Sequence, residues 1–569
     1  MKNANASRYL RNIILTFPPG MPVQEKEIYE NCARSAVGIY WKAMGWDDDK
    51  GGYVNLFDNT SEDVKKRLEK IWPALPDIKI QWDEAVCGQV VYLYNEVTFN
   101  YNGCIADFIR ETSLKHDGER ITVATVDIGG GTTDFVVNDF HLNENGDALV
   151  PQQRFRESFK IAGDDLLFDI ISRYVIPSIK QFLKSHRLSD EEINSILARK
   201  LGDNAELTVQ KCNLRKIFTL QVMEPLALKI IEAYEHYFSH DFSHYNVDSK
   251  TFRDILQDGG KQINIPERVL DYLDDEFRQI FNDPDFSVMD TILHVNFKEL
   301  HGLFSTCSHF DICVKAFSYL AEAIAAYDCD IVLLTGRPSK LPGIVSCFRN
   351  SVPIAADRVL SMHDYHVNNW YPFRNHHGVI DDPKTTAAVG AMICNLAAKS
   401  KIDFNFKALA IETRSCIKYM GKLDSKCEHL ANADVYYRDM NFDDIHYKPE
   451  GSFRTSGSLN LGYRSMNLER WPATILYRLD FEESLSQQMN ADANAIVEVV
   501  LDRDIEQDEN DGKIKNVSAR LVINTSKTRV SSRDIDMNEN DIKLTLRTIP
   551  YRGLKDDSYW LDNGILING

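Results

Sequence analysis

From Ile121 to Asn138 the chain runs through β-branched apolar residues, an aspartate, three glycines, two threonines, an aspartate and a second apolar run. That pattern predicts two strands joined by a tight turn. Upstream, Asn12-Ile-Ile-Leu-Thr-Phe17 reads as a buried strand stopped by Pro18-Pro19, which cannot continue a ladder. From about Val23 to Gly45 apolar positions recur at helical spacing, among them Ile28, Ala33, Ala36, Val37 and Tyr40. Residues 46–62 read as an Asp/Gly/Asn-rich loop, and a short helix leads to Ile78-Lys-Ile-Gln-Trp82. Asp83 and Glu84 then open a helix whose later positions are apolar.

Beyond the glycines, Phe159-Lys-Ile-Ala-Gly-Asp-Asp-Leu166 predicts a turn at Gly163 and a helix capped by Asp164 or Asp165. Helical segments are expected at about 163–185, 190–200 and 213–237, the last interrupted by Pro225. The polar loop Ser239 to Asp248 and a short strand Gln262-Ile-Asn-Ile265 fit an inserted helical subdomain. A long amphipathic helix from about Phe297 to Ala326 runs into the apolar strand before Thr335, a turn at Gly336 and a helix start at Leu341-Pro-Gly343. Small residues in Thr385-Thr-Ala-Ala-Val-Gly-Ala391 predict a helix packed tightly against a sheet. After about residue 400, Ile496 to Leu501, Ala519 to Asn524 and Ile542 to Arg547 read as strands of a separate all-β domain, with the acidic stretch Asp502 to Asp511 as a solvated loop.

Composition narrows the function classes. A length of 569 residues allows two to four domains, and 44% hydrophobic with 26% charged residues is ordinary for a globular protein. A net charge of −19 argues against nucleic acid as a partner, because that affinity rests on a basic face. The eleven cysteines are scattered from Cys32 to Cys427 without a Cys-x-x-Cys pair, which points to reduced thiols and a cytoplasmic location. No apolar run is long enough to predict a membrane span.

The glycine hairpin carries the candidate chemistry. Gly129, Gly130 and Gly131 allow positive φ and close approach, so successive backbone amides can point at one anion. Thr132 and Thr133 add short donors, and Asp127 and Asp134 place carboxylates where a hydrated Mg²⁺ would sit. No Gly-Lys-Ser/Thr follows, so this is not a Walker loop. Asp83 and Glu84 suit a helix N-terminus for capping and dipole reasons alone. His363, His366, His376 and His377, around Trp370-Tyr-Pro-Phe373, lack metal-ligand spacing and read as an aromatic-rich surface loop.

Asp127 to Phe135 resembles the second phosphate motif of the actin-like ATPases, the superfamily of actin, heat-shock chaperone ATPases, sugar kinases and bacterial cell-division filaments. In that likeness Glu84 falls where the superfamily orders the attacking water, Gly163-Asp-Asp165 follows in the expected order, and Asp381 to Met392 matches the closing helix. Thr335-Gly-Arg-Pro-Ser-Lys-Leu-Pro-Gly343 looks like the adenosine motif, with Arg337-Pro338 in place of small residues. An arginine there would either stack on adenine or fill its pocket.

Several stretches together are similar to the SrfB family of bacterial virulence-associated proteins: Ile13 to Glu25, Gln81-Trp-Asp-Glu-Ala85, Trp370-Tyr-Pro-Phe373, Asp382 to Ala391, Tyr463-Arg464 and Glu469-Arg-Trp-Pro-Ala-Thr474 to Leu479. The two resemblances imply an α/β fold of actin-like (ribonuclease H-like) lobes. An incomplete first lobe would span 1–115, a second 116–400 with a helical insertion at about 186–300, and the β-rich domain 401–569. The superfamily's opening Asp-x-Gly-Thr hairpin is missing, which makes the chain resemble the C-terminal part of a longer SrfB protein: a truncated form, a split gene product or a short homologue. The strand at 12–17 would then have an unpaired edge.

The implied function is an ATP-dependent switch with Mg²⁺. Gly129 to Thr133 and Gly163 would hold phosphate, Asp127 and Asp134 the metal through water, Glu84 and Asp127 the catalytic step, and Gly336 and Arg337 the nucleoside. Implied partners are SrfA-type and SrfC-type proteins and an N-terminal half completing the first lobe. The alternatives are an inactive scaffold on the same fold and a small-molecule phosphotransferase.

Overall fold

The computed structural model describes residues 10–44, 76–159, 161–203, 207–257, 265–307, 309–411, 414–424, 429–444, 446–492, 494–507, 514–531, 535, 537–538, 540–547 and 559–567. The loop expected at 46–62, the short helix after it, residues 262–264 of the strand expected at 262–265 and the end of the acidic loop lie outside them. The fold is mixed α/β with several sheets. It divides into two compact units interleaved along the sequence. One comprises Met1–Thr125, Asp134–Ser158 and Thr385–Tyr551, the other Val126–Thr133, Phe159–Lys384 and Arg552–Gly569.

In the first unit, β1 (Asn12–Ile14) pairs in parallel with β2 (Asp77–Lys79), so the strand expected at 12–17 is shorter and has a partner. Phe17, Ile78 and Ile80 form a small core that takes Tyr29, Ala33 and Val37 from the helix Val23–Ala43. Those three residues, four apart, lie on one helical stripe. Ile28 and Tyr40, expected on the apolar face, are instead 41% and 54% exposed.

The helix Glu84–Asn95 is buried along almost its whole length. Gly390 fits against it so closely that a Cβ would stand 2.0 Å from the Cys87 carbonyl oxygen. The small residues of the helix Thr385–Ala398 therefore serve contact with another helix. The expected contact with a sheet is corrected in this respect.

The glycine run joins β3 (Arg120–Ile128) to β4 (Thr133–Leu142), and β5 (Leu149–Phe159) follows, alternating buried and exposed positions over its first half. In the first unit β4 lies between β5 and β3; in the second, β6 (Ile331–Thr335) pairs in parallel with β7 (Val359–Ser361). Beneath the sheet, Gln89 donates to the Val123 carbonyl at 3.1 Å and accepts from Asn138 at 2.6 Å. These bonds satisfy the polar groups that the helix and β4 bury together.

The β-rich part of the first unit holds an antiparallel sheet in the order β17-β12-β11-β8-β9, formed by β8 (Tyr419–Lys422), β9 (Val435–Tyr437), β11 (Leu459–Arg464), β12 (Thr474–Phe481) and β17 (Ile542–Leu546). A second sheet joins β10 (Phe453–Thr455), β13 (Val497–Val499) and β16 (Arg529–Val530), and β14 (Leu501–Gln507) pairs with β15 (Ile514–Ile523). The expectation of an all-β domain needs one correction. The helix Glu483–Ala491 buries Leu485 and Met489 in the core between these strands.

The second unit is largely helical. Pro225 does not interrupt its helix: a π-turn at Thr219–Met223 shifts the hydrogen-bond register, and the proline stands in the first turn of Glu224–Glu235, where its missing N–H costs little. The long helix expected from 297 to 326 is broken after Phe297–Ser305 and resumes at Ile312. Cys307, with φ of 49°, turns the chain there and is disulfide-bonded to Cys347. That bond departs from the expectation of uniformly reduced thiols. Among the described residues no helix is long and apolar enough to cross a membrane.

Candidate functional site

The second unit assembles a glycine turn from three parts of the chain. Gly129 donates to the Thr132 carbonyl at 2.8 Å, closing the hairpin between β3 and β4. A Cβ at Gly129 would stand 2.9 Å from that carbonyl, so the turn has room for glycine only. None of Gly129, Gly130 and Gly131 takes the left-handed φ that the sequence allowed. Their small size, not their handedness, is what the turn uses.

Two amides at the start of the helix Gly163–Ile170 hold the back of the turn: Gly163 N–H donates to Gly129 O at 3.0 Å and Asp164 N–H to Gly130 O at 2.8 Å. The carbonyls are thereby consumed. Among the described residues, the amides of Gly130 and Gly131 donate to no hydrogen-bond acceptor, and both glycines are exposed. Paired outward N–H groups are the elementary unit of an anion-binding concavity.

Asp127, half-buried at the end of β3, comes within 2.7 Å of where a Cβ on Gly336 would stand. Gly336 has φ of 81° and a carbonyl, Ile128 O, 2.1 Å from that position, so both handedness and space demand glycine there. The structure thus joins Asp127, Gly129 to Thr132, Gly163 and Gly336 in one place. Pro338 completes the packing, its Cγ 3.3 Å from the Cβ position of Gly163.

Other expected residues take different parts. Thr133 is buried, and its hydroxyl donates to the Ile161 carbonyl at 2.7 Å, anchoring the segment before the helix. Arg337 opens a short 3₁₀ turn, and its half-exposed guanidinium lies 3.4 Å from the Glu235 carboxylate. Of the two acids that could cap the helix, Asp165 does so, accepting from the Ala162 amide at 2.8 Å. Burial and the neighbouring Asp164 push its carboxyl up from the usual range.

Glu84 and Asp134 belong to the first unit. Glu84 is the first residue of its helix and Asp134 is buried on β4. Asp83 caps the helix, its Oδ1 accepting from Val86 N–H at 2.8 Å, so the capping role is real for this residue. Complete burial pushes its carboxyl up to about 6, against the pull of the Val86 bond and of Arg156.

The sequence reading placed Asp164 only as a candidate helix cap and did not single out Tyr559. Asp164 lies over the turn, with Oδ1 3.3 Å from the Cβ position of Gly130 and Oδ2 3.6 Å from that of Gly131. Tyr559 donates its hydroxyl to Asp164 Oδ2 from the far end of the chain. The only local signal was an aromatic pair, Tyr559-Trp560, ahead of a helix-ending Asn563-Gly564.

Among the described residues no group of three or more His, Cys, Asp or Glu side chains is placed to hold a metal ion, the histidines of 363–377 included. The fold and site define a mixed α/β protein with a glycine hairpin, two of whose amides donate to no acceptor among the described residues. The chain matches the family model described as virulence factor SrfB over residues 1–567, and it belongs to that virulence-associated family. A search of curated proteins finds no match.

Proposed function

We propose that this SrfB-family chain is a nucleotide-responsive switch that seats the phosphates of ATP on the glycine turn. The observation that carries the reading is the arrangement at Gly130 and Gly131. The carbonyls of Gly129 and Gly130 are tied down by the Gly163 and Asp164 amides, and the amides of the exposed Gly130 and Gly131 donate to no acceptor among the described residues. Preorganised donors of this kind stabilise anionic oxygens.

The residues present fit a hydrated divalent cation better than a caged one. Asp127 is half-buried beside the turn, and among the described residues no ready-made cluster of ligands accompanies it. Mg²⁺ commonly keeps several waters and leans on one or two carboxylates plus phosphate. When bound it would neutralise phosphate charge; Asp127 would hold its water shell. Glu84 is proposed as a water-orienting acid and Asp134 as a metal-facing one.

Calorimetric titration of Mg·ATP into the full chain, with Asp127→Ala as control, tests the reading. Saturable binding that the substitution weakens at least about tenfold supports it. A flat titration for the native chain sinks it. Arg337 favours a second reading, an interaction protein without turnover, because its guanidinium is engaged by Glu235.

A further inference from the structure

The segment Tyr559–Ile567 is fixed to the second unit at every step. Trp560 is buried against Phe168, with ring centroids 6.1 Å apart, and its indole N–H donates to the Asp164 carbonyl at 3.1 Å. The short helix Trp560–Asn563 ends at Gly564, whose φ of 75° and Cβ position 2.7 Å from the Lys216 backbone admit no side chain. Buried Arg215 ties the Asn563 carbonyl at 3.0 Å and the Gly202 carbonyl at 2.6 Å, and Thr219 donates to the Gly564 carbonyl at 3.1 Å. Leu566 and Ile567 amides both donate to Leu201 O, at 2.7 and 3.2 Å. So many directed bonds hold the segment to one place on the second unit.

Its leading residue reaches the glycine turn. The Tyr559 hydroxyl lies 3.8 Å from the Cβ position of Gly131 and donates to Asp164, whose carboxylate lies over Gly130 and Gly131. An anion on the amides of those glycines would meet a negative charge held in place by the tyrosine. Like charges in a partly dry site oppose each other strongly.

We propose that Tyr559–Ile567 is a strap that closes the glycine turn, with Tyr559 holding Asp164 in the way, and that triphosphate binding and strap docking exclude one another. This rests on the nucleotide reading of the turn and adds its regulation. By linkage, whatever loosens the strap tightens the triphosphate site, and the triphosphate loosens the strap by the same factor. A partner that captured the C-terminal segment would therefore open the site.

The test uses the full chain and inorganic triphosphate with Mg²⁺, read by hydrogen exchange of the Gly564, Leu566 and Ile567 amides and by calorimetry. Expected are about tenfold faster exchange of those amides on saturation, and a Kd about three- to tenfold lower in Tyr559→Phe and in Trp560→Ala. Tyr559→Phe keeps the ring and removes only the donor, so it separates the tyrosine–aspartate bond from general damage. Binding that leaves strap exchange unchanged or slower, with Tyr559→Phe weakening affinity, overturns the strap and leaves the nucleotide reading standing. No binding by the native chain or either variant overturns both.

Discussion

The Gly163 amide donates to the Gly129 carbonyl at 3.0 Å, and a Cβ on Gly163 would stand 3.0 Å from that same oxygen. The helix start and the glycine turn are thus in contact backbone to backbone. Gly163→Ala must push the helix off the turn or displace Pro338, and we expect a loss on the order of 1–3 kcal/mol. Gly336→Ala should cost more, because the new methyl would overlap Ile128 O at 2.1 Å and take an unfavourable φ of 81°. Urea unfolding of both variants checks the ranking; equal midpoints with the native chain would show that the turn is not packed as described.

Asp83 supplies a pH-dependent prediction. Its carboxyl is raised from 3.8 to about 6 by burial, and its Oδ2 has no hydrogen-bond partner among the described residues. A carboxyl raised on folding favours the folded state fully below the unfolded pKa, and that contribution is lost as pH rises through the folded one. Between about pH 4 and pH 7 the native chain should therefore lose on the order of 3 kcal/mol at this site. Asp83→Asn keeps a cap acceptor for Val86 and does not titrate. The variant should match the native chain near pH 4 and exceed it at pH 7 to 8, as read by thermal unfolding across that range. A constant difference at all pH values would refute the assignment.

The hairpin itself was legible in the sequence, because β-branched runs on both sides of Gly129 to Gly131 leave little else for the chain to do. The helix after Trp82 and the strand before Gly336 were legible for the same reason: their apolar periods are long and uninterrupted. β5 was not, since Pro151 and the charged Arg154, Arg156 and Glu157 disguise a strand whose inner face carries Phe155 and Phe159. Nor was the break at Cys307, where a non-glycine residue takes positive φ without any local signal. The partner of Asp164 lies 395 residues away, and no local rule links positions so far apart. Thr133 was misread because a hydroxyl beside a glycine turn gives no sign of which side it will face. Its burial and the Ile161 bond are decided by the strand alternation of β4.

Trp471, through its bond to Glu157, shows what one residue quoted for the family likeness does physically. Glu157 is buried and accepts from the Trp471 indole at 3.1 Å, from the Ser158 amide at 3.2 Å and from the Ser465 hydroxyl. Burial still pushes its carboxyl up, so the donors only partly offset desolvation. Trp471→Phe removes one donor and leaves the ring volume nearly filled. The expected loss is about 1–3 kcal/mol. The deficit should widen as pH rises through the Glu157 pKa, because the lost bond favours the ionised form. A deficit independent of pH, measured by urea unfolding across the pH range in which the native chain stays folded, would mean that packing alone is at stake.

Arg464, in the same family stretch, is fully buried with its charge facing main-chain oxygens. Nη1 donates to Leu430 O at 3.0 Å and Leu468 O at 2.9 Å, and Nη2 donates to Asn432 Oδ1. The guanidinium also lies 5.6 Å from the Tyr419 ring centroid. A planar fork serving several acceptors at once cannot be reproduced by an ammonium, which is a point charge on a flexible stem. Arg464→Lys should therefore cost on the order of 2–4 kcal/mol by leaving acceptors unserved around a buried charge. Arg464→Met removes the charge and leaves the same carbonyls without donors, so it separates loss of the fork from retention of a misplaced cation. If Arg464→Lys is less stable than Arg464→Met, the uncompensated charge dominates. If the two are equal, the loop joining β11 to β12 depends on the donors themselves, and a stability unchanged in both variants would refute the role given to Arg464.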